Sequence, residues 1–232
     1  MRFRSSEDRK ESALRRLSES QKQFLRKATE AYHVSLPGSL GEEYLRSRGL
    51  ASPKIRETLD KFRLGYVKDP LPGHEMFKGF LAIPYLRWSQ EHGWAVVSIR
   101  FRCLEDHDHK GHGKYMTQAG DRPRLYNTLA LLKDSPRIAI TEGEIDAVTT
   151  QLCGVPAVGV PGSQAWQPYF REPFLGYRDV FVLADGDDAG MAFAQTVASN
   201  LPNAKIIPSP PGEDVNSLVV KHGVQALLER LK

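Results

Sequence analysis

RIAITEGEIDAVTTQLCG, residues 137–154, decides the fold. Its first five residues form a short apolar, β-branched run, which Glu142-Gly143 breaks. Residues 144–152 then take up helical periodicity, which stops at Gly154, so the stretch reads as strand, acidic turn, helix. The same order returns in DVFVLADGDDAGMAFAQTVASNL, residues 179–201. VPAVGV (155–160) and AKIIP (204–208) add two short strands, and residues 215–232 read as helical. Strands alternating with helices predict βαβ units and a parallel sheet.

Upstream the periodicity differs. SESQKQFLRKATEAYHVSL (18–36) opens on a Ser-x-x-Gln capping box and continues as a helix. LGEEYLRSRGL (40–50) is a second helix stopped by Gly49, and Ser52-Pro53 opens a third. FRLGYV (62–67), KGFLAIPYLRW (78–88) and WAVVSIRFRCL (94–104) are rich in aromatic and β-branched residues, and SQEHG joins the last two as a hairpin. The expectation is a charged amino-terminal arm at 1–17, an α+β subdomain over 18–135 with an antiparallel sheet, and an α/β domain over 136–232 with a parallel sheet.

A chain of 232 residues can bury a core without disulfide or metal staples, and its 41% hydrophobic and 26% charged residues are ordinary for a globular protein. It contains no run of about 18 apolar residues, and its charged start is unlike a signal peptide. The two cysteines cannot build a disulfide framework. A soluble, cytoplasmic protein with no membrane partner is expected. The net charge of +4 is concentrated as Lys and Arg before residue 133, whereas acids gather in short clusters after residue 136. A basic half beside an acidic half suits an enzyme acting on a polymer of phosphates.

In an open parallel sheet, sites form beyond the carboxyl ends of the strands. After RIAIT come Glu142 and Asp146; after DVFVLA come Asp185 and Asp187; after AKIIP come Glu213, Asp214 and Asn216. Like charges delivered to one edge raise each other's pKa, and a hard divalent cation relieves them. Carboxylate ligands suit Mg²⁺ or Mn²⁺ rather than zinc. The candidate metal ligands are therefore Glu142, Asp146, Asp185, Asp187 and Asp214. One such cluster alone would more often be helix capping, and Glu144 and Asp188 read as surface and capping residues.

Glu142-Gly-x-x-Asp146 followed by Asp185-x-Asp187 resembles the Toprim domain shared by DnaG-type primases, topoisomerases and some nucleases. The resemblance is closest to the primase catalytic core, because YLRSRGL with FRLGYV, WAVVSIRFRCL, Lys114-Tyr115-Met116, Leu125-Tyr126-Asn127 and GEDVNSLVVKHG occur in its order. It covers about Ser20 to Lys232. It implies a DNA-directed RNA polymerase of the primase type, with Glu142, Asp185 and Asp187 catalytic. Partners implied are single-stranded DNA, ribonucleoside triphosphates, a replicative helicase and a zinc-binding module carried elsewhere. The amino-terminal zinc ribbon and helicase-binding domain of cellular primases have no counterpart here, and Asn216 stands where an Asp is common. The compact form is similar to phage primases, which would place the protein in a bacterial host's cytoplasm. A Toprim nuclease or recombination mediator is the alternative.

Arg48, Arg100, Arg102 and Lys114 are the expected phosphate or template contacts, with Tyr115 a packing residue that could also stack on a base. Glu105-Asp106-His107-Asp108-His109 with His112 reads as a solvated loop tip rather than a metal site. Trp88 and Trp94 read as packing residues, and Cys153 as a buried helix end.

Overall fold

The computed structural model describes residues 17–91 and 93–232. The charged arm therefore lies outside the described residues except for Leu17. Ser18 caps helix α1 (Glu19–Val34) with the expected box, and Ser39 caps α2 (Leu40–Ser47). The segment opened by Ser52-Pro53 is a 3₁₀ turn running into a single helical turn, α3 (Arg56–Asp60). An antiparallel sheet follows in the order β1 (Gly65–Tyr66), β2 (Leu81–Ser89), β3 (Gly93–Arg102) and β4 (Tyr115–Thr117). FRLGYV thus supplies only two strand residues. Arg63 turns the chain at φ 54° just before them, and Gly65 lies so close to α1 that a Cβ would sit 2.5 Å from the Tyr32 carbonyl carbon.

The second sheet is parallel, in the order β6 (Ala157–Gly159), β5 (Arg137–Thr141), β7 (Asp179–Ala184), β8 (Ala204–Pro208). Helices α4 (Glu144–Leu152) and α5 (Asp188–Ala198) follow β5 and β7 directly. The tail forms two helices, α6 (Val215–His222) and α7 (Val224–Arg230), because Gly223 turns at φ 81° between them. The chain leaves β5 toward β6 and leaves β7 toward β8. The strand order therefore reverses between β5 and β7, where a ligand crevice is expected.

Each sheet keeps apolar clusters of its own, and one further cluster joins the two halves. Leu45, Leu59, Phe62 and Ile83 from the first half pack in one apolar cluster with Ile145 and Val148 of α4. An isolated antiparallel bridge between Tyr126 and Gly159 ties the connecting segment to β6. The acid-bearing edge is thereby held against the antiparallel sheet.

Candidate catalytic and metal site

Each acid is placed by a close backbone approach. Glu142 leaves β5, and Gly143 starts α4 in an extended conformation. A Cβ at Gly143 would meet the Asp146 carboxylate at 3.2 Å, and one at Gly159 would meet the Gly143 carbonyl at 2.8 Å. Asp146, in the first turn of α4, is thus folded back toward the strand end. Its Oδ1 accepts the Asn216 backbone N–H at 2.9 Å.

Asp185 directly follows β7, and Asp187 caps α5, accepting the Gly190 N–H at 2.7 Å. Gly186 between them is required by proximity, since a Cβ there would fall 1.8 Å from the Pro210 carbonyl oxygen. Its N–H donates to the Glu213 carbonyl at 2.8 Å, and its own carbonyl accepts from Gly212 at 2.9 Å. The loop carrying Asp214 is therefore laid along the exit of β7. Asp214 caps α6 through Ser217 and accepts the Arg48 guanidinium at 3.0 Å.

The electrostatics follow from this crowding. Burial pushes the Asp185 carboxyl up to about 8, with help from Asp146, Glu142, Asp214 and Asp187. Burial and Asp214 raise Asp146 to about 7, against the Asn216 N–H and Arg48. Glu142 is raised by burial and by Asp187, and its Oε2 is buried without a hydrogen-bond partner. Asp214 alone of the four goes down: burial opposes its ionisation, but Ser217 and Arg48 outweigh it. A set of hard carboxylate oxygens that repel one another, with one buried oxygen unsatisfied, fits a divalent cation of the Mg²⁺ class.

Glu142, Asp146, Asp185, Asp187 and Asp214 thus come to one edge. Glu213 does not join them, since it pairs with Lys221 at 3.0 Å and His222 at 3.5 Å. Asn216 is buried as a fastener, its Nδ2 donating to the Arg48 carbonyl and to Thr149 Oγ1.

The basic residues divide. Arg48 is held by Asp214. Arg102 is sandwiched, its guanidinium carbon 4.5 Å from the Tyr44 ring centre and 4.9 Å from that of Tyr115, whose hydroxyl it also contacts. Arg48 approaches the same Tyr44 ring at 6.0 Å. A file of Arg48, Tyr44, Arg102 and Tyr115 therefore leads from the acid edge onto the antiparallel sheet. Burial raises the Tyr44 phenol; Arg102 and Arg48 lower it again, while Asp146 and Asp214 add to the rise. Lys114 is exposed beyond Arg102.

Arg100 is different, and so is Glu144. Glu144 is not a surface acid but 1% exposed, paired with Arg100 at 2.7 Å and accepting the Tyr85 hydroxyl at 2.6 Å. The packing of α4 on the antiparallel sheet buries it. Asp188 is exposed in the first turn of α5, as read for a surface acid, whereas the cap itself is Asp187. Trp88 and Trp94, paired across the hairpin, are 46% and 56% exposed rather than packed. They line a broad groove with Arg26, Glu30, Phe62 and Lys133 that contains none of the five clustered acids. Cys153 is partly rather than fully buried. The histidine loop is a mostly exposed tip, as read, but it also gathers His107, His109 and His112 around the buried Cys103. Sequence reasoning missed Tyr44, although it stands one helical turn before Arg48 and so on the same face.

A family model described as Toprim-like matches residues 139–219. The gene 57 protein of Mycobacterium phage D29 is 62% identical over 156 residues, 67% of this chain and all of the phage protein. Among solved structures, a DnaG primase catalytic domain bound to single-stranded DNA is similar at 20% identity and a TM-score of 0.69, covering 90% of this chain and 77% of that one. The zinc-binding and RNA polymerase domains of the Aquifex aeolicus primase are similar at 22% identity and 0.69, covering 97% and 64%.

Proposed function

Since the chain belongs to the phage protein family of the D29 gene 57 protein, with a Toprim-like domain on the fold of a DnaG-type primase catalytic core, we propose that it synthesises short RNA primers on single-stranded DNA. The observation carrying this reading is the convergence of Glu142, Asp146, Asp185, Asp187 and Asp214 where the strand order reverses, with a file of cations and tyrosines leading away from it.

In the proposed reaction a 3′-hydroxyl attacks the α-phosphorus of an incoming ribonucleoside triphosphate, and pyrophosphate leaves. Glu142, Asp146, Asp185 and Asp187 would hold Mg²⁺ or Mn²⁺, with Asp214 in the same set. The chemistry such a cation would supply there is neutralisation of the triphosphate and of the developing oxyanion. Glu142, half-buried and raised above the ordinary carboxylate range, is also placed to accept a proton. Arg102 and Lys114 would position the template by its phosphates, with Tyr115 beside them. Arg48, ion-paired to Asp214, orients that acid, and Arg100 braces α4 through Glu144.

A replicative helicase and a zinc-binding module on another chain are the partners we propose, in a bacterial host's cytoplasm. Among the described residues no helix is long and apolar enough to cross a membrane. The test is incubation with single-stranded DNA, Mn²⁺ or Mg²⁺ and labelled ribonucleotides, reading both extension and cutting. Template-dependent extension supports the primase reading. Cutting without extension would replace it with a Toprim nuclease.

A further inference from the structure

The loop between β3 and β4 departs from ordinary hairpin chemistry. Residues 104–113 are mostly exposed and polar, and the Cys103 N–H donating to the Lys114 carbonyl at 2.9 Å closes the loop's base. Cys103 is buried, 3% exposed, in the apolar cluster that the antiparallel sheet forms with α1. One ligating atom from each of Cys103, His107, His109 and His112 lies within 4.8 Å of all the others. His107 Nε2 is 3.7 Å from Cys103 Sγ and 3.1 Å from His109 Nδ1. The three imidazole rings stand edge to face, with centres 4.7–5.3 Å apart.

We propose that Cys103, His107, His109 and His112 form a tetrahedral Zn²⁺ site that fastens the β3–β4 hairpin. Zinc holds sulfur and nitrogen at ~2.0–2.3 Å, which sets ligand atoms roughly 3.3–3.6 Å apart, so only a slight contraction of the loop is needed. The outer contacts already select the right nitrogens. Glu105 lies 3.2 Å from His107 Nδ1, which leaves Nε2 pointing inward, the carboxylate–histidine arrangement of metal sites. His112 Nδ1 is 3.1 Å from the Gly113 carbonyl, which leaves its Nε2 for the metal. Cys103 releases its thiol proton to solvent on binding, and no redox change is involved. Four N and S donors match zinc as the carboxylate edge matches magnesium, so the two sites differ in metal as well as place. Fastening the loop would fix Lys114 and Tyr115, the residues next in the chain.

The test uses the full, untagged protein. Elemental analysis after extensive dialysis should find one zinc per chain, retained by Cys153→Ser and Asp185→Asn and lost from Cys103→Ser. Cobalt loading should give intense tetrahedral visible bands and a thiolate charge-transfer band. Because Cys103 is buried and its variant could misfold, His109→Asn and the exposed-loop change Glu105→Gln provide second readings. The first should abolish the cobalt spectrum with the thermal midpoint of the metal-free protein unchanged, and the second should weaken zinc binding about 10–100-fold. A metal-free protein whose cobalt complex lacks the charge-transfer band would overturn the site. So would zinc that survives His109→Asn or departs with Asp185→Asn.

Discussion

A carboxyl raised to about 8, as Asp185 is by burial and by Asp146, Glu142, Asp214 and Asp187, keeps its proton at neutral pH until a cation displaces it. The folded state then binds more protons than the unfolded chain, whose aspartates titrate near 3.9. The contribution of Asp185 to the stability of the metal-free protein therefore falls as pH rises from about 4 to about 8. Asp185→Asn should flatten this slope and raise the thermal midpoint at pH 8 by a few degrees, read by calorimetry in chelator. An unchanged slope would remove Asp185 from the cluster. Added Mn²⁺ should stabilise the native protein more at pH 8 than at pH 6, because metal and proton compete. Asp187 is exposed and caps α5 through the Gly190 N–H, so on the proposed function its loss should separate chemistry from binding. Asp187→Ala should cost about 1 kcal/mol of stability and abolish nucleotide incorporation, with single-stranded DNA affinity within a few-fold in a salt-matched titration. Collapse of both together would mean that the residue organises the fold.

At the scale of elements, the turn from β7 into α5 is the most constrained piece of the site. Gly186→Ala pushes a methyl into the Pro210 carbonyl and should separate the 209–214 loop from the strand. A loss of about 1–3 kcal/mol is expected in denaturant unfolding, together with lost activity. A neutral result would mean the loop moves aside freely. The β3–β4 edge predicts a salt effect. Lys114→Ala should reduce the slope of log affinity against log salt by about 0.7 on single strands, whereas Arg15→Ala in the arm should matter less. Equal effects would indicate diffuse attraction. The elements were legible because their signals are local: capping boxes, apolar runs and glycine stops at 49 and 154 needed no tertiary context. The acids were legible because they follow strands. Glu144, Arg48 and the Cys103–His112 cluster were not, since their partners lie 44, 166 and up to nine positions away and only packing selects them. Two exposed tryptophans were misjudged because an aromatic at a strand end carries no mark of which face it takes.

For the whole molecule, the junction of the two halves combines an apolar cluster with a buried ion pair. Arg100→Ala leaves Glu144, at 1% exposure, with only the Tyr85 hydroxyl, and should cost about 3–5 kcal/mol. Arg100→Ala with Glu144→Gln should recover part of that loss, since no buried charge is then left unpaired. Chemical denaturation of the three proteins checks the order, and a double variant worse than the single would remove the pair as the joint. The contact between Arg48 and Asp214 has a different consequence, which concerns synthesis rather than stability. Its two ends are separated by most of the message, so a ribosome delivers Glu142, Asp146, Asp185 and Asp187 well before the acid and the asparagine that lock α2 to α6. A nascent chain halted before that point carries an unfinished acid edge, so the order of translation delivers the contact that closes this edge after the acids it joins.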